Sequence, residues 1–149
     1  MSGSSTTDVV NAIKDSFAAW NGVHNYFNAS TGGTKTGPAQ DGENEVGGAN
    51  IVPKNVLAAT WAWTDSSNQI VEADVFYNVS QPWALLSTCG GSSFDIRDIG
   101  THEIGHTVGL DHYSDADAQA TMYPSAPAGE VRKRTLTAGD ETAYTNAVG

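Results

Sequence analysis

Residues 101–112 read Thr101-His102-Glu103-Ile104-Gly105-His106-Thr107-Val108-Gly109-Leu110-Asp111-His112. On a helix, residues four apart lie about one turn apart on the same face, so His102 and His106 can present their imidazoles to one ion. Gly109 can adopt a left-handed backbone at little cost, which ends the helix and lets the chain turn back. His112 is then free to approach the same ion from another direction. The spacing predicts a metal site made by three histidines.

The composition of this site points to zinc. Zinc binds neutral imidazole nitrogens, and three protein ligands leave a fourth position for water, which is typical of a catalytic zinc site. Glu103 follows the first histidine, and its carboxylate can take a proton from that water and pass it to a departing amine. Two alternatives are a helix with ordinary core or solvated histidines and a metal site without catalysis. A purely structural site needs no unligated carboxylate at Glu103, so we predict Glu103 as the catalytic residue.

Composition bounds the class of protein. The chain has 149 residues, which fits one domain, and 39% of them are hydrophobic, which supports a real core. The net charge of −10 disfavours nucleic acid and anionic membranes as partners. The sequence contains no apolar window of about 20 residues, so no transmembrane helix is expected. Its first residues lack the apolar run of a secretory signal. With Cys89 as the single cysteine, no internal disulfide is expected.

Apolar spacing and capping residues predict three helices. The stripe of the first helix consists of Val10, Ile13, Phe17 and Trp20. Thr7 or Asp8 is expected to cap this helix, and Asn21-Gly22 to end it. The second helix is predicted over residues 95–108, with Asp95 as its cap. The third is predicted over residues 137–148, where Thr137 and Asp140 resemble a capping box.

Strand signals lie between the first two helices. A short strand is expected at residues 24–28, and residues 45–52 predict another strand, interrupted by two glycines. Residues 56–63 and 70–78 predict an antiparallel hairpin, because the first segment is apolar and rich in Thr and Trp, and the second alternates, with Val71, Ala73, Val75 and Tyr77 on one face. Residues 81–93 are expected to be irregular. The basic run Arg132-Lys133-Arg134 is interpreted as a solvated surface.

The pattern His102-Glu103-x-x-His106-x-x-Gly109-x-x-His112 resembles that of the metzincin metallopeptidases. That clan also has a methionine turn after the third histidine, and the run Thr121-Met122-Tyr123-Pro124 fits it. Met-Tyr-Pro is most similar to the matrixin branch. Weaker matches are scattered along most of the chain, at residues 17–20, 41–44, 70–75, 94–96 and 135–137.

This resemblance implies an α+β, zincin-like fold over residues 1–149 as a single catalytic domain. It implies a twisted mixed sheet, an active-site helix and a C-terminal helix, with Met122 beneath the zinc as a hydrophobic base. In matrixins the edge strand of the sheet binds the substrate backbone, and Leu57 and Ala58 match the part nearest the cleft. An ordinary packed strand is the alternative for these two residues.

The sequence also departs from the matrixin pattern. Matrixins usually have a strand before the first helix, so either that strand is missing from this sequence or the sheet is rearranged. Ala126 stands where a tyrosine often lines the primed-side specificity pocket. The latency propeptide of matrixins is not expected in this sequence, and Cys89 is in the wrong region for that role.

The function expected from this resemblance is that of an extracellular, monomeric zinc endopeptidase acting on extended polypeptides. A zinc hydrolase of small amides and a zinc-stabilised binding module are the alternatives. Only His24 lies outside the three-histidine motif, so we expect one catalytic zinc and no second, structural zinc. Acidic residues near Asp41 and around His112 leave calcium binding open.

Overall fold

A computed structural model describes residues 4–21, 34–88, 90–113 and 117–148. Its elements, in chain order, are α1 (Thr6–Asn21), β1 (Val46–Ala49), β2 (Ala58–Thr64), β3 (Ile70–Asn78), β4 (Trp83–Ala84), β5 (Phe94–Asp95), α2 (Ile96–Thr107), a 3-10 turn (Arg132–Arg134) and α3 (Ala138–Val148). The expected α+β class is confirmed, and the three helices lie where the sequence predicted them. The strand expected at residues 24–28 falls outside the described residues.

Helix α1 begins at a capping box that lies earlier than expected. The side chain of Ser5 accepts a hydrogen bond from the N–H of Asp8 at 3.2 Å, and Asp8 Oδ2 accepts one from the N–H of Ser5 at 3.2 Å. These reciprocal bonds satisfy two of the free N–H groups at a helix start. The predicted cap at Thr7 or Asp8 is therefore wrong, because Ser5 supplies the capping oxygen and Asp8 is its partner.

The main sheet has the strand order β1-β3-β2 and is mixed, as expected. Strand β2 runs antiparallel to β3, with Thr60 opposite Val75, and β1 runs parallel to β3. The predicted hairpin is thus confirmed. Strand β1 continues through both of its glycines, and a Cβ at Gly47 would lie 2.8 Å from the ring of Phe76. Strands β4 and β5 form a short parallel pair. Strand β4 lies within residues 81–93, which were expected to be irregular, so this pair was not predicted.

Helix α2 packs closely against both α1 and the sheet. Tyr77 on β3 donates a hydrogen bond to the carbonyl of Ile96 at 3.1 Å. A Cβ at Gly100 would lie 2.6 Å from Ser16 Oγ, and a Cβ at Gly105 would lie 2.8 Å from the ring of Trp20. These two glycines therefore let α1 approach the back of the helix that carries the histidines.

Two buried carboxylates hold the segment of residues 39–45 on the sheet. Glu72 accepts hydrogen bonds from the N–H groups of Asp41 and Gly42, both at 2.8 Å. Asp74 accepts bonds at 3.0 Å from two further N–H groups of the same segment. The acidic side chains nearest Asp41 thus hold the backbone in place, and calcium binding near Asp41 stays a prediction.

None of the helices in the described ranges combines the length and the apolar character needed to cross a bilayer.

Candidate active site

Helix α2 is bounded by the residues that the sequence predicted. Asp95 caps its start, where Oδ2 accepts a hydrogen bond from the N–H of Asp98 at 2.8 Å. Its end is a Schellman motif around Gly109, whose φ is +88°. In that motif the N–H of Leu110 reaches the carbonyl of Gly105 at 3.2 Å, and the N–H of Gly109 reaches that of His106 at 3.0 Å. The left-handed glycine redirects the chain, as expected, toward His112.

The three histidines converge through the same ring atom. Their Nε2 atoms are separated by 3.1 Å between His102 and His112, 3.2 Å between His106 and His112, and 3.3 Å between His102 and His106. Tetrahedral zinc–nitrogen bonds of about 2.05 Å place two ligand nitrogens about 3.3 Å apart. The cluster therefore has the spacing of ligands around one zinc ion, and these residues fit that metal.

Backbone carbonyls fix the tautomer of the two helix histidines. The ring Nδ1 of His102 lies 2.7 Å from the carbonyl oxygen of Thr121, and that of His106 lies 2.6 Å from the carbonyl oxygen of Leu110. A carbonyl only accepts, so each Nδ1 carries the hydrogen and each Nε2 keeps its lone pair. The described residues offer no such carbonyl to His112, which is also exposed.

Burial disfavours the charged form of these histidines. It lowers the pKa of His102 to about 3, and partial burial also lowers the pKa of His106 and of the more exposed His112. Neutral imidazole is the form that binds metal. The histidines are therefore ready to bind a cation across the neutral pH range.

Glu103 lies beside the cluster and faces the same cleft. Its side chain is buried, and burial raises its pKa to about 7, against the lowering effect of a hydrogen bond from Thr60. The cleft has a volume of about 950 Å³ and is lined by Glu103, the three histidines and residues of β2. The structure therefore brings the predicted catalytic residue and the predicted ligands together at one open site.

Met122 is completely buried against α2. A Cβ at Gly105 would overlap Met122 Sδ. This glycine, which lies between His102 and His106 in sequence, therefore makes room for the methionine. Asp140 accepts hydrogen bonds from the N–H groups of Thr121 and Met122 at 2.9 and 3.3 Å. The turn at Met122 thus packs directly behind the helix that carries two of the histidines.

The basic run after this turn was predicted to be a solvated surface, and this is wrong for Lys133 and Arg134, whereas Arg132 is exposed. Lys133 is only 1% exposed, and its Nζ donates to the carbonyls of Thr121, at 3.2 Å, and of Tyr123. Arg134 forms an ion pair of 2.6 Å with the buried carboxylate of Asp95. The prediction failed for Lys133 and Arg134 because their carbonyl and carboxylate partners lie far away in sequence, so the sequence alone does not reveal them.

Residues expected to contact substrate lie on the cleft. Leu57 and Ala58 both line it, and Ala58 begins β2 at the edge of the sheet. Thr60, Lys133 and Asp140 support the site but were not identified as such from the sequence. The alternation along β2 gave one usable signal, because it places Thr60 on the same face as Ala58.

Comparison with known proteins identifies the family. The profile of the matrixin family, peptidase family M10, matches residues 2–147. The chain therefore belongs to the matrixin family of zinc metallopeptidases, and the resemblance inferred from the motif is confirmed.

A curated relative agrees with this assignment. A segment of 75 residues is 47% identical to Metalloendoproteinase 1 of Glycine max. The match covers 50% of this chain and 23% of that protein. This chain therefore matches less than a quarter of its relative's length.

Proposed function

We propose that residues 1–149 form a single catalytic domain that hydrolyses peptide bonds of extended polypeptides as a zinc endopeptidase. The observation that carries this proposal is the convergence of the three Nε2 atoms beside Glu103 in one open cleft. Membership of the matrixin family supports it independently. The name of the relative in Glycine max is consistent with the same reaction.

The proposed ligands are His102, His106 and His112, each through Nε2. When bound, zinc acts as a Lewis acid that polarises a carbonyl group and activates water. Glu103 takes a proton from the attacking water as the new C–O bond forms. It returns that proton to the departing amine nitrogen as the C–N bond breaks. Glu103 therefore begins and ends the cycle as a carboxylate, and Met122 and Gly109 support the ligands without touching substrate.

The substrate in this proposal lies along β2. That strand is at the edge of the main sheet, so its outer N–H and C=O groups can pair with an extended peptide. Leu57 and Ala58 lie where such a peptide would enter the cleft beside the histidines. Backbone pairing explains recognition of polypeptides in general, and the side chains lining the cleft would then select the sequence.

The proposal includes an extracellular location and a monomeric state. Matrixins are typically extracellular, and this chain belongs to that family. A net charge of −10 also disfavours self-association through like-charge repulsion.

The experiment that tests the catalytic assignment compares Glu103→Gln with the zinc-loaded wild-type protein on a peptide library. We expect the variant to keep its zinc and to lose about 10²–10⁴-fold in turnover, the usual contribution of a general acid–base group. The matched control is Glu43→Gln, because Glu43 is exposed and does not line the cleft.

Three outcomes are informative. Chelation should abolish cleavage by the wild type, and zinc should restore it. Near wild-type turnover in Glu103→Gln would overturn the role of Glu103. Tight peptide binding by the wild type without any cleavage would indicate a binding module in place of an enzyme.

A further inference from the structure

Thr60 on the edge strand β2 forms hydrogen bonds to Glu103, the proposed general base. It lies on β2 opposite Val75, on the face of the sheet turned toward α2. Its Oγ1 is 2.7 Å from Glu103 Oε2 and 3.0 Å from the main-chain oxygen of Glu103. One hydroxyl therefore contacts both the side chain and the backbone of the same residue.

The chemistry of these groups assigns the direction of each bond. A carboxylate only accepts hydrogen bonds, whereas a threonine hydroxyl donates one. When Glu103 is ionised, the hydroxyl of Thr60 therefore donates to Oε2, and 2.7 Å is the length of a charge-assisted bond. When Glu103 carries a proton, the hydroxyl can rotate and donate to the main-chain oxygen at 3.0 Å. The hydroxyl has a partner in either protonation state of Glu103.

The two carboxylate oxygens of Glu103 differ in their surroundings. Oε2 is held by Thr60, whereas no residue in the described ranges donates a hydrogen bond to Oε1. Glu103 is only 5% exposed, yet it lines the cleft with the three histidines. A long, flexible side chain in such a place needs a partner to select one orientation.

We propose that Thr60 is a positioning residue for Glu103. Its hydroxyl fixes Oε2 and thereby directs Oε1, the oxygen that exchanges protons, toward the cleft. This inference rests on the proposed role of Glu103 as general base. It also gives β2 a second task, since the strand expected to hold the substrate also orients the residue that acts on it.

The first test compares Thr60→Val with Thr60→Ser. Valine keeps the branched shape and removes the hydroxyl, whereas serine keeps the hydroxyl. We expect Thr60→Val to lower kcat by about 10- to 100-fold, the worth of a hydrogen bond to a charged group. KM should stay close to that of the wild type, because the backbone of β2 is unchanged. Thr60→Ser should restore most of kcat.

Two readouts besides activity separate positioning from a structural role. Zinc affinity, measured by competition with a chelator, and the melting temperature should match the wild type in Thr60→Val. Thr142→Val is the matched control, because Thr142 is exposed on α3 and does not line the cleft. Thr60→Ala removes the hydroxyl without adding a methyl group, so the serine–alanine comparison decides the case in which valine impairs folding.

A double-mutant cycle completes the test. In a Glu103→Ala background, Thr60→Val should have no further effect on the residual turnover, since the hydroxyl acts through Glu103. An unchanged kcat in Thr60→Val, or failure of serine to restore it, would overturn the inference. The two proposals fail separately. If Glu103→Gln is inactive and Thr60→Val is normal, only the role of Thr60 is lost, whereas an active Glu103→Gln removes the basis of both.

Discussion

The three histidines of the cluster are held in two different ways. His102 and His106 lie on α2, and each is locked by a hydrogen bond from Nδ1 to a backbone carbonyl. His112 lies in a loop, is exposed, and has no such carbonyl among the described residues. The difference shows that the helix provides a preformed half of the site, with little entropy left to lose on binding. The loop histidine completes the site from the solvent side.

The support of the helix half extends well beyond α2. The carbonyl that orients His102 belongs to Thr121, and the same carbonyl accepts a hydrogen bond from the buried Lys133. The N–H of Thr121 is held in turn by Asp140. A buried cation and a buried anion thus hold opposite sides of one residue, whose carbonyl sets the direction of a proposed zinc ligand.

The largest expected effect comes from removing one ligand of each kind. His102→Ala and His112→Ala should both weaken zinc binding by more than about 100-fold. Removing a residue that only hydrogen-bonds to a ligand already costs up to about 100-fold, and loss of the ligand itself should cost more. His102→Ala should weaken it further and also lower the melting temperature of the metal-free protein, because it removes a buried ring. Chelator competition and thermal unfolding measure both effects. An equal loss of metal-free stability in the two variants would show that the two halves are not held differently.

A smaller effect is expected from Lys133→Met. The substitution leaves the carbonyls of Thr121 and Tyr123 without their buried donor, which should cost about 1–3 kcal/mol in the free energy of unfolding. Zinc affinity should fall by up to about 10-fold, since the carbonyl behind His102 is less firmly fixed. Chemical denaturation and chelator competition measure the two quantities.

The control for that variant is Lys14→Met on α1, where the lysine is exposed. It should change neither stability nor zinc affinity noticeably. If Lys133→Met behaves like this control, the basic run is a surface feature after all, and the helix half is not supported through Thr121.

The helix half was also the part that the sequence predicted well. His102, Glu103, His106 and Gly109 form a local pattern, and local backbone geometry alone brings the two helix histidines together. The hairpin was predictable because residues 71–75 of β3 alternate between apolar and acidic residues. These signals act over a few residues, so one sequence is enough to detect them.

The supporting residues could not be predicted in the same way. Lys133, Asp140 and Thr60 act on residues 12, 19 and 43 positions away in sequence. Asp140 was correctly predicted to pair with Thr137 at the start of α3, but its bonds to the methionine turn depend on tertiary packing. A buried lysine is rare unless it is paired, so the default interpretation of an exposed cation was wrong for Lys133.

The smallest effect concerns pH and again tests the support of the helix half. Burial, with the nearby Glu130, raises the pKa of Asp98 to about 7. A carboxyl group whose pKa is raised on folding stabilises the folded state most at pH values below its pKa in the unfolded chain. For Asp98, this stabilisation is lost as the pH rises through 7. Asp98→Asn cannot ionise and keeps an oxygen for the N–H of Lys133, which lies 2.7 Å from Asp98 Oδ1. Relative to the wild type, it should gain about 1 kcal/mol between pH 6 and 8.

Thermal unfolding across that pH range measures this gain. The control is Asp117→Asn, because Asp117 is exposed. Parallel curves for the wild type and Asp98→Asn would show that Asp98 does not titrate in this range. A gain in Asp117→Asn as large as that in Asp98→Asn would assign the effect to overall charge.

Asp140 has a consequence for how the protein unfolds. Its Oδ2 accepts from Thr121 and from both the N–H and the hydroxyl of Thr137, so one carboxylate closes the start of α3 and also secures the methionine turn. The two segments therefore form one cooperative unit, and neither can open without releasing the other. Unwinding of the first turn of α3 would therefore free the peptide that orients His102, so local melting at this helix start would loosen the proposed metal site.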